Sequence, residues 1–289
     1  MRTITLDQDS YQVPGSWDEL SPKQLEFLAR QLHKEVPVQQ IKLYMLLHCL
    51  HAHIDATPNH FGSVILHDLG MAPTYTILVI GRKRYQLEAD QFVQLADVMD
   101  YLVKPIETET SPSEQPPRYV IAPELHIDPY PNLVIGDIEY KGSGNGLFSL
   151  RFEQYMYLQT YLSGMIDGSA QLEEVLACVW CPDGQFDVET IEDSVKQLKT
   201  LTPERKLVML WFVQSSLQHY SRLFPRLFSG DGPSSHRNVL DSQLRLLDSL
   251  AQHDVTKKDQ VRKGWLMDAF YSLDEILKEQ ERMEERLKK

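Results

Sequence analysis

Between Glu107 and Pro117 the chain reads ETETSPSEQPP, with no apolar side chain and three prolines. A stretch of that composition cannot bury enough surface to offset the entropy of ordering it, and it reads as a disordered linker. It constrains the fold more than any other feature, because no continuous core can run through it. The 289 residues are long enough for one large domain or two ordinary ones, and chains of this length bury about 75 % of their unfolded surface. The expectation is an N-terminal body over residues 1–106, the linker over 107–117, a short-strand connector over 118–148, and a C-terminal body over 149–289.

The N-terminal body opens on a short extended segment and then SWDELSPKQLEFLARQL. Ser21 is a good N-cap, Pro22 stands where a missing N–H costs nothing, and Leu25, Leu28 and Leu32 share one face, which predicts a helix from about Pro22 to Lys34. Ile41, Tyr44, Met45, His48 and Leu50 form the stripe of a second helix. In TYTILVIGRKRYQL the apolar residues become nearly continuous and Gly81 supplies a turn residue, which predicts a β-hairpin. Helical spacing returns through Phe92, Leu95, Ala96, Met99 and Leu102.

Beyond the linker, RYVIAPEL and NLVIGDIEY read as short strands around the turn DPYPN. After Phe148 the pattern is almost wholly helical. One helix ends at Gly164, and another, AQLEEVLACVWCP, stops at Pro182. Val188, Ile191, Val195 and Leu198 mark a third. Thr202 and Pro203 start a fourth, apolar on several sides and so central to the core. Past the loop FSGDGPSSH, Leu240, Leu244, Leu247 and Leu250 lie on one helix, and Trp265, Leu266, Phe270, Leu273 and Leu277 on another. The fold class is therefore mainly α with a small β portion: an N-terminal helix–hairpin module and a C-terminal helical domain.

Charge narrows the function classes. Acidic residues number 41 against 29 basic ones, for a net charge of -12. That balance argues against a partner bound through its phosphates, as nucleic acid is. No apolar run approaches the ~20 residues that span a bilayer. Three cysteines cannot all pair within the chain, and MRTITLDQDS does not read as a signal peptide. The expected compartment is a reducing cytoplasm.

Five groups of residues invite a chemical reading. Gly142, Gly144 and Gly146 precede a helix as in phosphate-binding loops, but the spacing fits neither dinucleotide nor P-loop rules, and Leu147 and Phe148 follow where a phosphate would sit. A positive-φ connector, a hinge between a strand and a Ser149-capped helix, fits better. Cys178 and Cys181 have redox or zinc spacing and would share a helical face, yet they close a helix where a reactive thiol prefers a helix start. His48, Cys49, His51 and His53 are metal-like in composition, with Cys49 and His53 four apart; an amphipathic helix with interior and surface histidines accounts for them without a metal. Tyr140, Tyr155, Tyr157 and Tyr161 are either a stacking platform or half-buried packing. The basic groups Arg82/Lys83/Arg84 and Lys257/Lys258/Arg262/Lys263 read as solvated turns. No cofactor, metal or catalytic residue is expected.

The last segment, LKEQERMEERLKK, is charge-dense, with Glu284/Lys288 and Glu285/Lys289 in the favourable i,i+4 order. Gln280 and Glu284 interrupt the seam from Leu266 to Leu277, so a coiled coil ends after about two heptads. This helix is either a solvated end or a docking helix for a partner.

Three blocks carry a resemblance: SWDELSPKQLEFLARQL, then FEQYMYLQTYLSG…LACVWCP with KLVMLWFVQSSL…LFPRLF, and WLMDAFYSLDEILKEQE. Together they resemble uncharacterised phage and prophage proteins of Bacteroidetes whose genes lie among tail-morphogenesis genes. The resemblance covers most of the chain outside the linker, through packing and capping patterns. It implies a non-enzymatic tail-assembly accessory, chaperone-like, holding a tape-measure or tube protein during assembly in the bacterial host cell. No site residues carry over from the resemblance; the candidate partner contacts, Trp265, Phe270 and Leu277 on the last long helix and Trp17 near the start, are equally explicable as core. A structural tail or baseplate component is the alternative, and a metal- or thiol-dependent enzyme the third reading.

Overall fold

The computed structural model describes residues 1–55, 75–106, 119–228 and 239–287. The chain is mixed α+β and mainly helical. It divides into two compact units, Met1–Glu124 and Leu125–Lys289. The expected linker, 107–117, lies outside the described residues, as do most of FSGDGPSSH and the Lys288 and Lys289 ends of the terminal i,i+4 pairs.

The first unit begins not with a lone extended segment but with a hairpin, β1 (Arg2–Leu6) and β2 (Asp9–Val13), in the register Arg2↔Val13 to Leu6↔Asp9. Alternation turns Ile4 and Leu6 inward while Thr3 and Thr5 face out. Helix α1 (Pro22–His33) starts as its sequence dictates: the Ser21 hydroxyl accepts from Gln24 N, and Gln24 Oε1 accepts from Ser21 N at 2.8 Å. It buries Leu25, Leu28 and Ala29. Helix α2 (Val38–Cys49) buries Ile41, Met45 and Leu46. The expected hairpin is present as β4 (Tyr75–Ile80) and β5 (Lys83–Glu88), turning at Gly81 with φ +60°. A strand not anticipated, β3 (Ala52–Asp55), pairs with β4 to make three strands. Helix α3 (Ala89–Ala96) follows, then a 3-10 stretch to Leu102. Strand β6 (Val103–Pro105) pairs with β7 (Tyr119–Ile121), so the residues flanking 107–117 share one sheet, and the units divide at Glu124/Leu125.

In the second unit, NLVIGDIEY is itself a hairpin, β8 (Asn132–Ile135) and β9 (Ile138–Lys141), turning at Gly136. The strands either side of DPYPN therefore do not pair with each other; β7 belongs to the first unit and β8 to the second. The two-residue strand β10 (Cys181–Pro182) adds to β9, giving the order β10-β9-β8. Helix α4 (Phe152–Asp167) runs through Gly164 and ends at Gly168, whose φ of +80° closes it in the left-handed conformation. Helices α5 (Leu172–Ala177) and α6 (Ile191–Leu198) are short. Helix α7 (Pro203–Leu223) is capped by Thr202 and buries Val208, Met209, Phe212, Val213 and Tyr220, the central helix expected from its all-round apolar pattern. Then come α8 (Pro225–Phe228), α9 (Val239–Leu250), α10 (Lys258–Lys263) and α11 (Leu266–Leu287). The leucines of α9 do not all face inward: Leu247 is buried and Leu244 is exposed. Among the described residues, no helix is long and apolar enough to cross a membrane.

Candidate functional site

Three stretches of the second unit that are far apart in sequence meet around the glycines. Gly142 N donates to Pro131 O at 3.1 Å, Gly146 N to His126 O at 2.7 Å, and Ser149 N to Ser143 O at 3.0 Å. The Ser143 hydroxyl donates to Val179 O, the Trp180 indole to Tyr130 O at 2.9 Å, and Tyr220 OH to Leu147 O. Gly144 and Gly146 have φ of +74° and +58°, where glycine is at ease, and Leu147 shares that region at φ +60°. A segment pinned at this many points is not the expected hinge. Its N–H groups at Gly142, Gly146, Leu147 and Ser149 are spent inside the fold, so they cannot cradle a phosphate. Nor does Ser149 cap the helix: α4 starts at Phe152, and Arg151 N is held by Gln154 Oε1 at 2.9 Å.

Asp128 lies at the centre of this crossing and is only 4 % exposed. Its Oδ1 accepts from Tyr130 N at 2.9 Å, whereas Oδ2 is buried with no hydrogen-bond partner. Burial pushes the carboxyl up to about 6, with the Tyr130 N–H pulling weakly the other way. Gly142 makes room for it: a Cβ there would stand 1.9 Å from Oδ2 and 3.1 Å from the Trp180 Nε1. Nearby, the rings of His126 and His219 lie 5.2 Å apart, and burial, then His126, holds the His219 imidazole below its usual value. The sequence signalled only a turn at Asp128.

Cys178 and Cys181 do not share a helical face. Helix α5 ends at Ala177, Cys178 lies in the turn after it, and Cys181 is in β10. Both are buried free thiols. Cys178 Sγ donates to Glu174 O, and Gln154 Nε2 bonds Cys178 O at 3.1 Å and Cys181 Sγ at 3.6 Å. Burial holds Cys178 well above the ordinary thiol range and pushes Cys181 up to about 12. A thiol so placed is protonated at neutral pH, the opposite of a nucleophile. We expect Cys178 and Cys181 in native protein to resist a thiol-disulfide reagent such as DTNB, becoming reactive only at the denaturant concentration that melts the fold. Rapid stoichiometric modification before that transition would show them to be accessible.

The histidine cluster also disperses. Helix α2 stops at Cys49, His51 leaves it at φ +50°, and His53 stands exposed on β3, so Cys49 and His53 share no helical face. The His48 ring stacks on Phe27 with centroids 4.0 Å apart, and burial lowers its basicity. Cys49 accepts from Gln24 Nε2 and is pushed up to about 11 by burial. Among the described residues no three His, Cys, Asp or Glu side chains are grouped to hold a metal. The tyrosines form no common platform: Tyr140 and Tyr155 are core residues, while Tyr157 meets Tyr161 and Phe186. In the basic groups, Lys83 pairs with Asp9, Arg84 with Asp55 and Lys258 with Asp248.

Of the expected contact residues, Trp17 is 2 % exposed and donates from its indole to Tyr101 O at 3.0 Å. Phe270 is buried where the rings of Tyr155, Tyr220, Phe224 and Phe228 all meet it edge-on. Each is packed into the core of its own unit. Leu277 is half-buried. Trp265 is different: it is 44 % exposed, with the Arg151 guanidinium 4.5 Å over its ring. It lines a cleft of about 470 Å³ together with the apolar Leu250, Val261, Ala269 and Ile276 and the polar Gln252, Gln260, Asp268 and Ser272. From Glu279 to Leu287 every residue of α11 is exposed, Leu287 by 87 %.

No family model, curated protein or solved structure matches this chain.

Proposed function

We propose that this protein is a non-enzymatic accessory of phage or prophage tail assembly, acting in the cytoplasm of the bacterial host and binding a tape-measure or tube protein during morphogenesis. In this reading the N-terminal helix–hairpin module and the C-terminal helical domain are distinct bodies, and the second carries the docking surface. The sequence resemblance suggests the programme, and the cleft at Trp265, just before α11, is the observation that supports docking. An exposed tryptophan beside a cleft of mixed polar and apolar lining, on a chain whose terminal helix end keeps Met283 and Leu287 in solvent, is the kind of surface that takes an amphipathic segment.

The reading is tested by co-expressing tagged protein with the neighbouring tail genes and measuring what is retained. Capture of one tail protein is expected. Trp265→Ala should weaken capture roughly tenfold or more, as expected of an aromatic anchor. Retention of the tail protein at full strength by Trp265→Ala would remove this cleft from the interface. Finding the chain in mature particles would favour the structural tail or baseplate component instead.

A further inference from the structure

Helix α11, with Trp265 just before it, keeps one face open along its length. At about 100° of turn per residue, Trp265, Ala269, Ser272 and Ile276, which line the cleft, fall on one stripe that runs on through Gln280, Met283 and Leu287. Leu250 and Val261 face the first part of the stripe across the cleft. The second part stands on the helix end, where every residue from Glu279 to Leu287 is exposed, Met283 by 54 % and Leu287 by 87 %. An apolar face that projects past its own fold gains by being covered.

The stripe is complementary to itself when reversed. In two antiparallel copies related by a two-fold axis at Ile276, each position meets the one equally far beyond the axis. Ser272 then meets Gln280, Ala269 meets Met283, and Trp265 meets Leu287. The long methionine enters the space a small alanine leaves, and leucine covers the tryptophan ring. The Ser272 hydroxyl donates to Asp268 O at 2.8 Å, so its oxygen is left to accept from the Gln280 amide. Charge favours the same direction: on the flank of the stripe, Asp268 of one copy stands opposite Arg282 and Arg286 of the other, all three exposed. A parallel pair would set Arg286 against Arg286 and alanine against alanine. Beside the axis, Glu275 and Glu279 of both copies gather, with Lys278 held by Glu275 at 2.5 Å, which keeps the attraction modest.

We propose that the chain self-associates through this face, as an antiparallel two-fold pair of α11 helices in which the end of each helix fills the Trp265 cleft of the other. The contact is isologous and closed, so it stops at a dimer. It does not rest on the tail-assembly reading, although a tail segment would compete for the same cleft.

Sedimentation equilibrium of the purified full chain, with no tail protein present, tests it. A mass approaching twice 33.4 kDa is expected at about 100 μM, a concentration that populates a small transient interface. Met283→Glu combined with Leu287→Glu, both at exposed positions and so without cost to the fold, should leave a monomer there. Arg286→Glu should weaken association about fivefold, and Glu279→Lys, which gives Glu275 of the other copy a cation, should strengthen it by about as much. Direction is read by cysteines: under oxidising conditions Ser272→Cys mixed with Gln280→Cys should give a disulfide-linked dimer, and neither variant alone should exceed the wild-type background. A monomer at that concentration, a dimer untouched by the Met283 and Leu287 changes, or cross-linking by each variant alone and not by the mixture overturns the proposal. Failure to capture a tail protein would bear on the tail reading only.

Discussion

Gly142→Ala should be the most damaging single-methyl change in the second unit, lowering stability by about 3 kcal/mol or more. The backbone of Gly142 is not in the left-handed region, so the cost is steric and not conformational. The added Cβ would lie 1.9 Å from Asp128 Oδ2 and 3.1 Å from Trp180 Nε1. Neither neighbour can simply swing away. Asp128 is held on its other oxygen by Tyr130 N, and Trp180 is held by its indole bond to Tyr130 O. Gly136→Ala is the matched control: its φ is +60° but no atom lies within 4 Å of the added carbon, so only the left-handed penalty of roughly 1 kcal/mol applies. Urea melts followed by tryptophan fluorescence would compare the two. Asp128→Ala in the Gly142→Ala background should recover much of the loss, as a double-mutant cycle shows when two groups collide. Equal midpoints for Gly142→Ala and wild type would mean that the chain crossing is looser than described.

How much of this was legible beforehand divides along the line between local and non-local causes. Ser21 with Pro22, Thr202 with Pro203, and Gly81 between two strands are signals complete within a few residues, and the elements they announce are present. Where α5 ends was not legible, because the apolar run continues through Cys178, Val179 and Trp180. Those residues are buried, but in a turn that leads into a strand, and the strand exists only because β9 is there to pair with it. The hairpin of β1 and β2 was missed for a related reason. Its turn uses Asp7 at φ +53° where a glycine or asparagine would have advertised it. Distance hid the candidate sites most of all. Nothing in DPYPN says that Asp128 will be enclosed, since the atoms that enclose it belong to Gly142 and Trp180. In the other direction, sequence proximity made His48, Cys49, His51 and His53 look like a group, and a helix end between them separated them.

The other large effect expected is one of pH, and it reads the same carboxylate. Asp128 titrates near 6 in the folded protein against 3.8 without the fold's influence, so the native state holds a proton that the unfolded state has released throughout that interval. A raised folded value means that the stabilising contribution is complete below the unfolded value and is lost as pH rises through about 6. By linkage the wild type should therefore forfeit roughly 2 kcal/mol between pH 4 and pH 8 from this residue alone. No neighbouring charge figures among the causes, which are burial and the Tyr130 N–H, so added salt should leave the effect nearly intact. Asp128→Asn keeps an oxygen for Tyr130 N and cannot ionise. The difference in unfolding free energy between the Asp128→Asn variant and the wild type should thus grow in favour of the variant as pH climbs from 4 to 8. Taking the difference matters, because half-exposed acids such as Asp9, Asp248 and Asp254, each held low by a hydrogen bond, tilt the whole curve the opposite way and cancel in the subtraction. A flat difference curve would show that water reaches Oδ2 in solution. The steric cost at Gly142 should then shrink too, because a carboxylate with room for water has room to yield to a methyl group.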